Sequence, residues 1–143
     1  MRTLFDTSTL VAALLEDHPQ HIFCLSWLEK VHNATTLGFV STHTLAELYS
    51  VLTRLPRIPK LQPREVNALL GNLQILEKIV LEPQDYEAAI HRLVNLQLTG
   101  GIVFDALIAQ AALKAGASRL LTLNAKDFLR LGAEVAPLVV SPG

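Results

Sequence analysis

Four acidic residues stand in apolar surroundings where a carboxylate needs a counter-charge. Asp105 opens the stretch VFDALIAQAALKAGA, whose other residues are almost all apolar, and this pattern predicts a buried helix. A buried carboxylate is rare unless a cation pairs with it, and no Lys or Arg lies within one helical turn of Asp105. Either a side chain distant in sequence or a metal ion must supply the positive charge.

The other three acids lie at or near the ends of short apolar segments. Asp6 follows RTLF, Glu47 lies in THTLAELYSVL, and Asp127 lies between TLNAK and FLRL. Neighbouring carboxylates repel by about 4 kcal/mol per pair at 4 Å and an effective dielectric near 20, and a divalent cation reverses that balance. Mg²⁺ and Mn²⁺ prefer carboxylate oxygens and water, and such an ion can polarise a phosphodiester and generate hydroxide at neutral pH. Together the acids predict a hard-cation site.

Each acid also has a purely structural explanation when it is taken alone. Asp6 could cap the helix that follows it. Asn124 as an N-cap would place Asp127 at the third helical position, as in a capping box. Glu47 could be an ordinary solvated helix residue. Asp105 fits this kind of explanation poorly, because an acid in a first helical turn gains only about 0.3–1 kcal/mol, less than the burial of an unpaired carboxylate costs.

The histidines and the single cysteine do not predict a zinc site. His18 and His21 are separated by Pro19, which indicates a solvated loop pair rather than a ligand pair. His43 lies one helical turn before Glu47 and could touch a substrate. Cys24 is the only cysteine, so neither an internal disulfide nor a thiolate cluster can form.

Composition bounds the class of protein. The length of 143 residues predicts one domain, residues 1–143, and a hydrophobic content of 50% argues against disorder. No run of 18 apolar residues is present, so no membrane span is predicted. Asp6 and Glu16 interrupt any signal-like stretch, which predicts a cytoplasmic protein.

One segment is basic although the formal net charge is −1. Residues 54–64 contain no acid, and such a strip can guide a polyanion to one place on the surface. The alternative is an ordinary solvated linker. The bases of this segment, called the basic segment below, are Arg54, Arg57, Lys60 and Arg64.

Short strands that alternate with helices must position these residues. This pattern predicts an α/β fold with a parallel sheet covered on both faces, and the functional crevice of such a sheet lies beyond the carboxyl ends of its strands. Asp6 and Asn124 follow predicted strands directly, so both belong at that edge. The predicted strands are residues 2–5, 37–40, 79–81, 119–122 and 137–140. The predicted helices run from 8 to before Pro19, from 20 to 31, from Ser41 or Thr42 through Glu47, and over 65–76, 84–96, 103–115 and 126–131.

Three motifs together resemble the PIN-domain ribonucleases, and most closely their toxin subunits of VapC type. The segment GGIVFDALIAQAALKAGASRLLTLNAKDFLRL, from Gly100 to Leu131, resembles the C-terminal half of the family. The segments LFDTSTLVAALL and STHTLAELYSVLTRL resemble its first two motifs in order and approximate spacing. The resemblance covers essentially the whole chain.

The resemblance implies a three-layer α/β/α sandwich around a mostly parallel sheet, and a site that holds Mg²⁺ or Mn²⁺. It also implies a cognate antitoxin and a homodimer as partners. The implied acids are Asp6, Glu47, Asp105 and Asp127, and the implied residues that orient them or bound water are Ser8, Thr122 and Asn124.

Two positions depart from the family pattern. Phe104 stands where many relatives carry Tyr, which removes a hydroxyl and keeps the ring. Asn124 stands where some relatives carry Asp, so Asp127 must be the fourth acid.

The resulting hypothesis is a metal-dependent endoribonuclease, the toxin of a toxin–antitoxin pair, with RNA as its substrate. Asp6 and Asp105 would bind the principal cation, Glu47 would complete its shell or orient the attacking water, and Asp127 would assist a second cation or a bridging water. The basic segment would grip RNA or a partner. Two alternatives remain: a non-catalytic PIN-like module that binds RNA or protein, and a housekeeping RNA-processing nuclease with the same site.

Overall fold

A five-stranded sheet forms the centre of the computed structural model, which describes residues 1–143. Its order is β3-β2-β1-β4-β5, and every neighbouring pair is parallel, as the alternation of elements predicts. The strands are β1 (Arg2–Phe5), β2 (Leu37–Ser41), β3 (Glu77–Ile79), β4 (Arg119–Leu121) and β5 (Val139–Val140).

Seven helices cover the sheet. None is long and apolar enough to cross a membrane, and the longest has 14 residues. The helices are α1 (Thr7–Leu14), α2 (His21–His32), α3 (Thr42–Arg54), α4 (Pro63–Leu70), α5 (Pro83–Leu96), α6 (Ile102–Lys114) and α7 (Ala125–Leu129), with 3₁₀ turns at Gly71–Leu73 and Ala136–Leu138.

Alternating side chains of the three central strands divide the core into two layers. Because successive strand residues point to opposite faces, each strand contributes to both layers. Leu4, Phe39 and Leu120 pack with residues of α5, α6 and α7 on one face. Phe5, Val40 and Leu121 pack with residues of α1, α2 and α3 on the other. The predicted three-layer α/β/α sandwich is confirmed.

The chain changes direction across the sheet between β1 and β4. From β1 it builds β2 and β3 on one side, and then β4 and β5 on the other. Asp6, directly after β1, donates its backbone N–H to Leu121 O of β4 at 2.9 Å, so the carboxyl ends of both strands meet. A crevice at this switch point is where parallel sheets place functional groups.

Two predicted helices were too long. The first helix ends at Leu14, because Leu15 is already extended four residues before Pro19. The helix predicted over 65–76 is α4, which begins at Pro63 and ends at Leu70. Pro63 is suited to a first helical position, and Gln62 and Glu65 form a capping box before and after it.

The strands near the sheet edges also differ from the predicted ranges. The strand predicted at 79–81 is β3, Glu77–Ile79, because its register pairs Glu77 with Phe39 and residues 80–82 are needed to lead into α5. The last strand is only Val139–Val140, because Ala136–Leu138 forms a 3₁₀ turn at Pro137.

Candidate active site

Asp6 lies at the switch point with its side chain only 3% exposed. It holds the N-cap position of α1, yet its side chain makes no capping hydrogen bond, so the simple capping explanation is wrong. Two hydroxyl groups instead donate to one oxygen, Asp6 Oδ2: Ser8 Oγ at 2.6 Å and Thr122 Oγ1 at 2.8 Å. The carboxylate is therefore fixed from both sides of the switch point.

The loop after β4 orients these two hydroxyl groups. Leu123 N donates to Ser8 Oγ at 3.0 Å, and Asn124 N donates to Thr122 Oγ1 at 2.9 Å. Since each hydroxyl oxygen accepts a backbone N–H, its own proton is free to point at Asp6. Ser8 and Thr122 thus make side-chain contact with the carboxylate, while Asn124 contributes through its backbone.

The buried position of Asp6 is electrostatically costly. Desolvation raises the pKa of Asp6, the hydrogen bonds from Ser8 and Thr122 oppose that rise, and the charge of Glu47 adds to it. No lysine or arginine forms an ion pair with Asp6.

Glu47 reaches the same region from α3, where Ser41 caps the helix by accepting from His43 N at 3.1 Å. Thr7 Oγ1 donates to Glu47 Oε1 and lies 3.1 Å from Thr44 Oγ1. His43 Nε2 lies 3.8 Å from Glu47 Oε2, which is too long for a hydrogen bond and close enough for attraction. His43 first, and then Thr7, lower the pKa of Glu47 against the effect of burial.

Asp105 lies in the first turn of α6, is partly buried and has no ion-pair partner. Desolvation, followed by the charges of Asp6, Asp127 and Glu47, raises its pKa to about 6, while Arg130 opposes the rise. The charges of the other three acids therefore act on Asp105 in addition to its burial.

An open cleft of about 500 Å³ brings three of the predicted acids together. Asp6, Glu47 and Asp105 all line it, as do Ser8 and Asn124. One larger cavity, of about 690 Å³, lies among α1, α2 and the end of α4, but Glu16 is its only acid. The remaining lining residues are Thr7, Val11, His18, Val51 and Leu123.

Asp127 lies outside the cleft lining and is exposed. Asn124 is the N-cap of α7 but makes no side-chain capping hydrogen bond, so the capping-box explanation of Asp127 does not hold. Its charge nevertheless raises the pKa of Asp105, which places Asp127 in the same electrostatic neighbourhood.

The four bases of the basic segment differ in their surroundings, and one of them is linked to the cleft. Arg57 lines a second cavity of about 240 Å³, and His18 lines both this cavity and the acidic cleft. Arg54 bonds the backbone and side chain of Ser50 within its own helix. Lys60 and Arg64 are exposed.

The donor set fits a hydrated hard cation. No three Asp, Glu, His or Cys side chains converge tightly enough to enclose a metal ion by themselves. Mg²⁺ does not need such a cage, since it usually keeps several waters and takes one or two carboxylates together with a substrate phosphate. The cleft meets that requirement. No Lys or Arg pairs with its carboxylates, the pKa of Asp105 is raised, and the cleft has room for water.

Sequence reasoning missed two residues that hold Glu47. Thr7 and Thr44 are both buried, and Thr7 links the start of α1 to α3 through its hydroxyl. A signal was present in the run Thr-Ser-Thr directly after Asp6, because hydroxyl groups beside a buried carboxylate are well placed to serve acids.

Comparison with known proteins gives a consistent result. The family model described as PIN domain matches residues 3–134. Ribonuclease VapC27 of Mycobacterium tuberculosis is 36% identical over 107 residues, which cover 75% of this chain and 74% of that protein. Ribonuclease VapC40 of the same species is 34% identical over 134 residues, which cover 91% and 94%.

Solved structures agree in fold. VapBC2 from Rickettsia felis, crystallised with a DNA fragment from its promoter, contains a chain with a TM-score of 0.72 and 24% identity, covering 99% of this chain and 98% of that one. A chain of the DNA-bound VapBC from Salmonella typhimurium has a TM-score of 0.71 at 20% identity, covering 100% and 99%.

Proposed function

Because this chain belongs to the PIN-domain family, and within it to the ribonucleases of VapC type, we propose that it is a metal-dependent endoribonuclease and the toxin of a toxin–antitoxin pair. One observation carries the proposal: Asp6, Glu47 and Asp105 line a single cleft, and no lysine or arginine pairs with any of them. RNA is the substrate that the relatives' name, ribonuclease, supports.

Asp6 and Asp105 are the residues that would hold Mg²⁺ or Mn²⁺. Asp6 is the better fixed of the two, because Ser8 and Thr122 both donate to its Oδ2 and leave its other oxygen for a cation. When bound, the ion supplies polarisation of the phosphodiester and a lowered pKa for water.

Glu47 is suited to orient the attacking water by accepting a hydrogen bond from it. Its pKa is lowered, so it is ionised at neutral pH, and the hydrogen bond from Thr7 fixes its direction. The water oxygen loses a proton to solvent and forms a bond to phosphorus as the bond from phosphorus to O3′ breaks. O3′ takes the electron pair and then a proton from solvent, which leaves a 3′-hydroxyl and a 5′-phosphate. Asp127, exposed nearby, assists through a second cation or a bridging water.

The basic segment supplies attraction for the RNA backbone. Arg57 is the best placed of its members, since its cavity adjoins the acidic cleft at His18. Cations at a short distance from the acids would hold phosphates that flank the scissile bond, while the acids themselves repel RNA unless a metal ion is present.

An antitoxin and a second copy of this chain are the proposed partners, in the cytoplasm. The two neighbouring structures named above are VapBC complexes, which supports a protein partner. An exposed apolar stripe on α5 suits a protein contact, because Tyr86, Ile90 and Val94 follow one another at four-residue spacing and are 43%, 51% and 66% exposed.

RNA cleavage with Mn²⁺ tests the nuclease assignment. Wild type should degrade a mixed-sequence RNA, and Asp105→Asn should lose nearly all of that activity. Glu87→Gln is the matched control, since it removes one carboxylate charge from an exposed position of α5. Equal rates for wild type and Asp105→Asn would refute the role given to Asp105.

Two measurements separate the alternatives. A non-catalytic binding module has no reason to take up Mn²⁺, so titration calorimetry without any heat of binding would favour it. A housekeeping nuclease would cleave RNA but leave growth normal when the chain is expressed alone, whereas a toxin would arrest growth until its antitoxin is supplied.

A further inference from the structure

An aromatic pair stands beside the acids, outside the residues that line their cleft. The His43 imidazole and the Phe104 ring are stacked, with centroids 5.5 Å apart and planes only 3° from parallel. His43 precedes Glu47 by one turn of α3, and Phe104 directly precedes Asp105 on α6. The pair therefore bridges the two helices that carry these acids.

Phe104 is 48% exposed although it is a large apolar side chain with no polar atom to solvate. The imidazole covers one side of its ring, so the exposed area belongs to the remainder. The loop before the helix is uncrowded, because no atom beyond the chain neighbours lies within 4 Å of a Cβ placed at Gly100 or Gly101. A flat apolar surface is thus presented to solvent next to Asp105.

His43 is held by packing more than by hydrogen bonding. Its Nε2 atom is buried and has no hydrogen-bond partner, and Glu47 Oε2 is 3.8 Å away. A buried polar atom without a partner needs an explanation. A role in supporting the Phe104 ring is such an explanation, because stacking fixes the plane of the imidazole although Nε2 has no hydrogen-bond partner.

We propose that Phe104, backed by His43, is a stacking platform for one nucleobase adjacent to the scissile phosphodiester of RNA. This inference rests on the proposed ribonuclease function and defines its substrate as single-stranded. Every base offers a π-face to an aromatic ring, so the platform tolerates any sequence. Bases inside a duplex are already stacked on each other, and only loops, bulges and ends can offer a splayed base.

RNA suits this surface better than an apolar protein partner. The exposed ring is followed directly by Asp105, and Gly100 and Gly101 stand in the loop before the helix that carries it. A single ring beside carboxylates and an open cleft matches the need to hold one base while a phosphate lies on the acids.

Binding to matched oligonucleotides tests the platform. The two probes are a single-stranded oligoribonucleotide and an oligomer of the same length without bases, measured by fluorescence anisotropy with Ca²⁺ in place of Mn²⁺. Phe104→Ala should weaken binding of the base-bearing probe by about 5- to 100-fold and leave the abasic probe unaffected. Phe104→Trp should restore the loss.

The controls address folding and the role of His43. Phe23→Ala removes another exposed ring, on α2, and should change neither affinity. His43→Ala should weaken only the base-bearing probe, and this effect should vanish when Phe104 is already alanine, since His43 is a positioning residue that acts through the ring. Urea denaturation of each variant verifies the fold.

The outcomes separate this inference from the function on which it rests. Equal weakening of both probes, or no change in either, overturns the platform. If wild type cleaves RNA while Phe104→Ala binds normally, the platform fails and the nuclease remains. If the base-bearing probe depends on Phe104 but wild type never cleaves RNA, the stacking surface holds and the proposed nuclease fails.

Discussion

Lys114 Nζ lies 2.7 Å from Asp85 Oδ2 and joins the last turn of α6 to the first turn of α5. The same carboxylate also accepts Glu82 N at 2.8 Å, as part of the capping box of α5. Asp105, near the other end of α6, has no such partner. The helix α6 thus contacts a neutralised carboxylate, Asp85, at one end and carries an uncompensated acid, Asp105, at the other. This contrast separates a stabilising acid from the acid that is proposed to bind a metal ion.

The Asp85 pair should contribute stability that depends on pH. Lys114 first, and then the capping hydrogen bond, lower the pKa of Asp85, so its contribution is present above the unfolded value and is lost as pH falls through the folded value. Asp85→Asn should reduce the free energy of unfolding by about 1–2 kcal/mol at pH 7. Urea denaturation should find the difference much smaller at the lowest pH at which the protein stays folded, and no difference for Glu87→Gln.

Asp105 should destabilise the metal-free protein at neutral pH. Its pKa is raised to about 6, so the native state loses stability as pH rises from the unfolded value near 3.8 towards 6. Asp105→Asn should therefore raise the free energy of unfolding by about 1 kcal/mol at pH 7, a figure kept small because solvent screens a carboxylate that is only partly buried. The gain should disappear near pH 4. Destabilisation by this substitution at pH 7 would contradict the repulsion argument.

Divalent cations should make wild type more stable than Asp105→Asn and so reverse their order of stability. Mn²⁺ at 100 times its dissociation constant should stabilise wild type by about 2.7 kcal/mol, because it binds the folded state alone. Asp105→Asn should gain little. Thermal unfolding with and without Mn²⁺ measures the difference, and Ca²⁺ or EDTA arms report whether any divalent ion suffices. A similar rise in Tm for both proteins would mean that the ion binds elsewhere.

Thr122→Val should impair cleavage while leaving the fold intact. The change removes the 2.8 Å hydrogen bond to Asp6 Oδ2 with almost no change in shape. Loss of a group that orients a metal-binding carboxylate typically costs about 10- to 100-fold in metal affinity or activity. Thr3→Val is the matched control, because Thr3 is equally buried on β1 and bonds Thr36 Oγ1 at 3.0 Å, away from the acids. Comparable losses in both variants would indicate a general packing effect.

Arg57 should matter more for RNA binding than Arg64. Arg57 lines the cavity that adjoins the acidic cleft, whereas Arg64 is exposed in the first turn of α4. Arg57→Gln should lower the slope of log affinity against log salt by about 0.7, the value for one phosphate contact on a single strand. Arg64→Gln should change it less. Anisotropy titrations at several salt concentrations provide the slopes, and equal slopes for both variants would remove the preference for Arg57.

The α/β/α layers could be predicted from the sequence, because the alternation of apolar strands with helices determines them. Strands such as β1 and β2 are apolar on both sides, and their alternation with helices leaves few arrangements. Element ends were less predictable. Ile79 to Leu81 suit a strand better than Glu77 and Lys78 do, and only the pairing of Glu77 with Phe39 across the sheet selects the observed register.

The convergence of the acids followed from topology, but their individual environments did not. An isolated acid after a strand predicts a place at the sheet edge for Asp6. Nothing in the sequence tells that Ser8 and Thr122 would donate to the same oxygen, or that Asp127 would stay exposed outside the cleft. Those facts depend on side-chain directions set by tertiary packing across more than a hundred residues.

β1 and Asp6 depend on a neighbour that is synthesised much later. That neighbour is β4 with Thr122, and 116 residues separate Asp6 from Thr122. Until β4 has been synthesised, Asp6 lacks the neighbouring strand that positions it. The cleft can therefore assemble only once β4 has been synthesised and has paired with β1.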